Sequence, residues 1–215
     1  MSAAAAERGA KPIGLDFSTE MIAIAKRMFP ATEFREGDAQ NLPLADAAFD
    51  RVVAGFSLLH VADPERAMAE AARVLKPGGW FAFTTWARIE ENPFIKLVDD
   101  AIQAHANIDV DLPPGPPFYL FESEDEFRTA LERAGLDGQS MSFKVHTIRW
   151  QVPSGRFIFD AELKAGVRTA GLLARQTPDA LKKIQSAIEK SVQRYTTNRG
   201  FAIPKAAYVV AISKN

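Results

Sequence analysis

The sequence predicts a doubly wound α/β domain built on a mostly parallel sheet. Three observations predict it. From Lys11 to Trp86 short apolar runs and amphipathic stretches follow one another in β-α-β-α-β order, which suits parallel strands joined by right-handed crossovers. The run FDRVVAGFSLLHV is apolar almost throughout, as a strand buried on both faces would be. Two successive strands close on an acid, Asp16 and then Asp38.

Each element carries its own punctuation. PIGLDF is a short apolar run ending at Asp16, and Ser18 is placed to cap the helix that follows. In that helix, STEMIAIAKRMFP, Met21, Ile24, Ala25 and Met28 recur at helical spacing and Pro30 ends it. ATEFREGD alternates, with Thr32 and Phe34 on one face and Glu33 and Arg35 on the other. A polar connection, AQNLPLADAA, leads to the long apolar strand. DPERAMAEAARVLKPGG is the best-marked helix: Asp63 caps it, Pro64 takes its first position, and Met68, Ala71 and Leu75 form its buried stripe. Lys76 faces the negative end of its dipole, and Pro77-Gly78-Gly79 stops it. WFAFTTW is the next strand.

Beyond Ala87 the pattern loosens, and Pro113–Pro117 reads as a stiff extended turn. SEDEFRTALERAGL is a helix with a capping box at Ser123 and Glu126 and a terminator at Gly135. SMSFKVHTIRWQV is a long strand whose alternation slips between Val145 and Ile148, the mark of a bulge or bend. Ser154 to Arg199 is helical, with Leu181, Ile184, Ile188 and Val192 along one face, and KAAYVVAIS is a closing strand. The expectation is one domain over 1–215, with 87–117 and 154–199 as lid or insertion segments.

Composition narrows the function classes. The chain has 215 residues, 47% apolar and 25% charged, with a formal net charge of −1 and both signs interspersed, so it carries no footprint for nucleic acid or an anionic membrane. With no cysteine, disulfides, thiolate metal sites and cysteine nucleophiles are excluded. SAAAA is too short for a signal-peptide core, and no run approaches the roughly 18 apolar residues a membrane helix needs. The default expectation is a cytoplasmic protein.

In open α/β sheets ligands bind beyond the carboxyl ends of the strands. Asp16, at such an end, can accept hydrogen bonds from two vicinal hydroxyls; it can equally be a solvated loop acid or a partner for the dipole of the next helix. Asp38 follows the neighbouring strand and can accept from an exocyclic amine. Together they fit a nucleoside laid across the strand tips, one acid for sugar and one for base. GFSLLH would turn Phe56 and Ser57 towards the same cleft. His60 is a candidate base, and a packed structural histidine is the alternative. Trp86 is a pocket wall or a core residue. His105 and His146 stand apart, and no histidine pair has metal-ligand spacing. Phosphate-loop and nucleophile-elbow motifs are missing. None of Tyr119, Tyr195 and Tyr208 has a lysine four residues on, which weakens a nicotinamide-reductase reading.

GLDFSTEM, followed by REGDAQNLPLADAAFDRVVAGFSLLHVADPERAMAEAARVLKPGG, resembles the class I S-adenosylmethionine-dependent methyltransferases, closest to their ubiquinone/menaquinone-biosynthesis-like (type 11) branch. The resemblance is strong from Gly14 to Trp86. It implies a Rossmann-like fold with an antiparallel C-terminal strand, S-adenosyl-L-methionine as cofactor and a small-molecule acceptor. It assigns Asp16 to the cofactor ribose with Phe17 and Met21 flanking the adenine. Asp38 falls to the adenine amine with the Ala39 backbone beside it, and Phe56 and Ser57 to the methionine arm. The family's first strand and glycine-rich loop have no counterpart, so AAAAERGAK is expected to be the tail of the helix that follows them. The strands of Pro12–Phe17 and Phe49–Val61 should then face a gap that either closes on itself or takes a second chain, giving a homo-oligomer. A non-catalytic, methyltransferase-like protein is the alternative.

Overall fold

The computed structural model describes residues 1–112, 121 and 123–215, so the Pro113–Pro117 turn and Tyr119 lie outside the described residues. A short helix α1 (Ser2–Ala6) precedes β1 (Ile13–Asp16), α2 (Thr19–Met28), β2 (Glu33–Glu36), β3 (Phe49–Gly55), α3 (Pro64–Val74), β4 (Leu75–Trp86) and α4 (Pro93–His105). The chain continues through α5 (Glu124–Arg133), β5 (Ser142–Val152), α6 (Gly155–Ala165), α7 (Val167–Leu173), α8 (Pro178–Ser191), β6 (Thr196–Thr197) and β7 (Gly200–Ser213).

The caps are where the sequence puts them. Ser18 Oγ accepts from Met21 N at 3.2 Å, and Asp63 Oδ1 accepts from Arg66 N at 3.0 Å with Pro64 opening the helix. Ser123 Oγ accepts from Glu126 N at 3.3 Å. Met68, Ala71 and Leu75 are buried as the stripe requires. The end of α3 differs. The helix stops at Val74, before the Pro-Gly-Gly turn, because Leu75 already pairs with Phe49 in β4. Lys76 does not serve the helix dipole but pairs with Asp50 at 3.0 Å. Lys214 Nζ caps α3 instead, donating to the carbonyls of Ala72 at 2.8 Å and Leu75 at 2.9 Å.

The strands form a parallel pair, β1-β2, and a five-stranded sheet ordered β3-β4-β7-β5, with β6 on β7. β3 and β4 are parallel. β7 runs antiparallel to β4, since Gly78 and Lys214 pair at one end and Ala87 and Ala206 at the other. Among the described residues β1 and β3 belong to separate sheets with no hydrogen bond between them, so these two edges do not close on one another. The start of α1 lies against both: a Cβ on Gly14 would meet Ser2 Oγ at 3.2 Å, and one on Gly55 would meet Met1 Cε at 2.6 Å. β3 is therefore an edge strand and not the doubly buried strand that its composition suggests; Val53 is 59% exposed. On α2 only Ile22 is buried, while Met21, Ile24 and Met28 are exposed.

The chain divides into two compact units, unit 1 and unit 2. Unit 1 comprises Met1–Thr85, Pro116–Lys144 and Val209–Asn215, and its core stacks Phe81 on Phe83 and Phe83 on Phe127, with Met68 and Leu131 buried. Unit 2 comprises Trp86–Gly115 and Val145–Tyr208; α4, α6 and α8 bury Phe94, Leu97, Ile158, Phe159, Ile184 and Ile188 in one cluster with Ile203. Here the helical stretch breaks at Gly166 and again before the Thr177 cap. Tyr208 fixes the turn into α4: its hydroxyl donates to Glu91 Oε2 at 2.6 Å and accepts from Arg88 N at 3.3 Å. Burial first, and the Glu91 carboxylate second, push the Tyr208 hydroxyl up to about 12.

Candidate functional site

The register of β1 and β2 brings the two acids to one end of one parallel pair. Asp16 sits opposite Glu36, Gly37 N donates to the Asp16 carbonyl at 2.9 Å, and Asp38 follows directly. Asp16 Oδ1 accepts from Ser18 N at 2.9 Å, which fixes the carboxylate at the start of α2 and leaves Oδ2 open. Thr19 Oγ1 donates to Glu36 Oε2 at 2.8 Å, tying α2 to the tip of β2. Phe17 is 74% exposed and Met21 52% exposed beside these acids, so two large apolar side chains flank an open polar tip.

Gln40, which sequence reasoning missed, organises the second acid. Its backbone N–H donates to Asp38 Oδ1 at 2.8 Å, and its side-chain amide donates to the same oxygen at 3.1 Å. The backbone bond first and the amide second hold the Asp38 carboxyl below the usual carboxylate range. Gln40 Oε1 accepts from Asp63 N at 2.7 Å, and its carbonyl accepts from Arg66 Nε at 2.8 Å, so the same residue docks the loop onto the start of α3. Further along, Arg73 donates to the carbonyls of Leu42 and Leu44 and pairs with Glu70 at 2.7 Å. Glu70 in turn accepts from Leu42 N at 2.7 Å, and the Arg73 guanidinium holds its carboxyl low. The Ala39 N–H, between Asp38 and Gln40, has no acceptor among the described residues.

Phe56 ends β3 with φ at +57°, in the left-handed region that a bulky residue rarely occupies, while its N–H donates to the Thr84 carbonyl at 3.0 Å. Ser57 is exposed and opens a 3-10 turn over Leu58–His60. Val61 and Ala62 then lead to Asp63, so Gln40 also links the Asp38 loop to the segment after Phe56. His60 is exposed at the end of that turn, with no partner for its imidazole among the described residues. Trp86 ends β4 in the other unit, where it faces Lys205. His105 lines a groove of about 750 Å³ with Lys182, Lys183, Lys190 and Arg194, and His146 is exposed on β5. Among the described residues no three acids or histidines converge as metal ligands, and no helix is long and apolar enough to cross a membrane.

Seven residues therefore stand in one unit: Asp16, Phe17 and Met21 after β1, Asp38 and Ala39 after β2, Phe56 and Ser57 after β3. The residues present fit a nucleoside-bearing cofactor. One carboxylate has a free oxygen for a diol, the second lies beside a free N–H as an amidine edge requires, and exposed apolar side chains offer faces for a flat ring.

Comparison with known proteins finds methyltransferases. Residues 1–83 match the methyltransferase domain family. A demethylmenaquinone methyltransferase of Chlorobaculum parvum is 46% identical over 88 residues, which is 41% of this chain and 36% of that protein. A ubiquinone/menaquinone biosynthesis C-methyltransferase of Campylobacter jejuni is 31% identical over 150 residues, 63% of each chain. The matched segments thus span less than two thirds of these curated relatives. A solved SAM-dependent methyltransferase of Methanosarcina mazei aligns with a TM-score of 0.57 at 17% identity, over 100% of this chain and 87% of that one. At that identity the likeness is one of fold, and it is the Rossmann-like α/β fold.

Proposed function

We propose that this protein, whose residues 1–83 match the methyltransferase domain family, transfers a methyl group from S-adenosyl-L-methionine to a small-molecule acceptor of the quinone class. The observation that carries the reading is the pair of carboxylates closing adjacent parallel strands, each held in place by a backbone N–H two residues on. Asp16 would take the ribose hydroxyls and Asp38 the adenine amine, with the Ala39 N–H on a ring nitrogen and Phe17 and Met21 against the base. Phe56 and Ser57 would line the methionine arm. The cofactor, when bound, supplies an electrophilic methyl group. The chain's own work is then positional: holding an acceptor in line and excluding water, for which no strong base is needed. The quinone class is supported by what the curated relatives are named for.

Titration calorimetry with S-adenosylmethionine and S-adenosylhomocysteine tests the cofactor assignment. Asp16→Ala is expected to weaken binding about tenfold or more, as for loss of a charge-assisted hydrogen bond. No heat at millimolar cofactor would instead leave a non-catalytic, methyltransferase-like protein. Transfer of labelled methyl to a naphthoquinol tests the acceptor class; binding without transfer would overturn that part alone.

A further inference from the structure

Unit 2 contains a cluster that the strand-tip site does not use. Lys205, on β7, extends its ammonium over three aromatic rings: Nζ lies 4.3 Å from the centroid of Trp86, 4.4 Å from Phe94 and 5.0 Å from Trp150. These rings come from the end of β4, the start of α4 and the end of β5. Phe94 packs edge-on to Trp150 at 5.1 Å, which stiffens that side of the frame. Phe157 of α6 lies 6.1 Å from Trp150 and is 44% exposed.

The frame suits a cation but leaves it incompletely satisfied. Aromatic faces attract an ammonium through the ring quadrupole, yet they accept none of its three N–H donors in the way an oxygen would. Among the described residues no oxygen lies within hydrogen-bond or ion-pair distance of Nζ. The nearby acid, Glu162, attracts Lys205 only at longer range, and its carboxylate is already engaged by the Thr169 hydroxyl. Burial works against both charges, lowering the proton affinity of Lys205 and raising that of Glu162. A half-buried ammonium with unfilled donors, beside an exposed apolar ring, is one half of a recognition site.

We propose that Lys205 and its aromatic frame bind a small apolar carboxylate, whose two oxygens take the free ammonium donors while its hydrocarbon body lies on Trp150 and Phe157. The carboxylate completes the hydrogen bonds that the rings leave open. The apolar body covers Phe157, the exposed member of the frame. This site does not depend on the methyl-transfer reading, because every residue in it belongs to unit 2 and the cofactor candidates belong to unit 1.

The fold supplies its own reporter, since Trp86 and Trp150 are two of the chain's three tryptophans. Titration of the full chain with 2-naphthoate, without cofactor, is expected to quench tryptophan fluorescence saturably. The neutral isostere 2-naphthamide should bind at least about tenfold more weakly, the ratio a charge-assisted contact supports. Lys205→Met, which keeps an unbranched apolar stem among the rings, should bring naphthoate down to the affinity of the amide. Equal affinities of acid and amide for the native chain overturn the proposal without any variant. Naphthoate binding unchanged in Lys205→Met overturns it too. So does a lack of saturable quenching at millimolar naphthoate, which would mean that water alone serves the ammonium.

Discussion

Single side chains set the terms of the strand-tip site, and one of them, Phe56, does so from an uncomfortable backbone. Phe56 and Ala47 both stand at positive φ, +57° and +47°. Ala47 is exposed and lies outside the proposed site, so its strain has no functional counterpart here. Ala47→Gly is expected to raise stability by about 0.5–1 kcal/mol in urea titration, the left-handed penalty less the extra entropy of a freer unfolded chain. Phe56→Gly should likewise keep the fold but bind S-adenosylhomocysteine several-fold more weakly, a split that identifies the Phe56 strain as tolerated for its side chain. Glu162 gives the chain a signed pH dependence. Burial, partly opposed by Lys205 and Thr169, lifts its carboxyl above the ordinary 4.5. The folded state therefore holds that proton more tightly than the unfolded state, and stability declines as pH rises through the raised value. Glu162→Gln should raise the Tm at about pH 8 and do so less at about pH 4, read from paired thermal melts. Much of this scale was legible: Asp16 and Asp38 announce themselves by closing strands. Gln40 does not, because its partners Asp63 and Arg66 lie far along the chain and meet it only once α3 has docked.

Elements follow their local signals where those signals are local. Asp63-Pro64 starts α3 and Ser123 starts α5, because a cap needs only its own first turn. The end of α3 could not be read in the same way. Its terminating carbonyls are satisfied by Lys214, and nothing near Leu75 hints at that partner. Lys214→Met removes both bonds and is expected to cost about 1.5–3 kcal/mol in urea denaturation, the range for hydrogen bonds to a charged group. A loss below about 0.5 kcal/mol would show that water caps α3 as well as the lysine does. The apolar content of 154–199 also needed the fold to interpret it. Ile158, Phe159 and Leu173 are interior to the second unit, whereas Phe157 remains exposed. The doubly buried reading of β3 failed for a related reason: hydrophobicity along a strand does not say how many faces are covered, and Val53 and neighbouring Trp80 are both exposed.

At the scale of the whole molecule, the two units divide the proposed work. All seven cofactor candidates belong to unit 1 and the Lys205 frame to unit 2. In hydrogen–deuterium exchange, S-adenosylhomocysteine is expected to protect 13–18 and 37–41 most strongly, with a smaller change at α8. Protection centred on α8 would displace the cofactor from the strand tips. The Lys205 frame was beyond sequence reading because its four side chains come from positions 86, 94, 150 and 205, and no periodicity links them. Connectivity has its own consequence. The polypeptide passes from unit 1 to unit 2 after Thr85 and back for the last time after Tyr208, and the lysine that closes α3 stands beyond that last crossing. On the ribosome, α3 would thus emerge well before its final partner, which lies 142 residues beyond Ala72. A nascent chain halted before residue 209 should keep that helix frayed and its sheet protease-sensitive, so the first unit cannot mature by itself as its leading residues emerge.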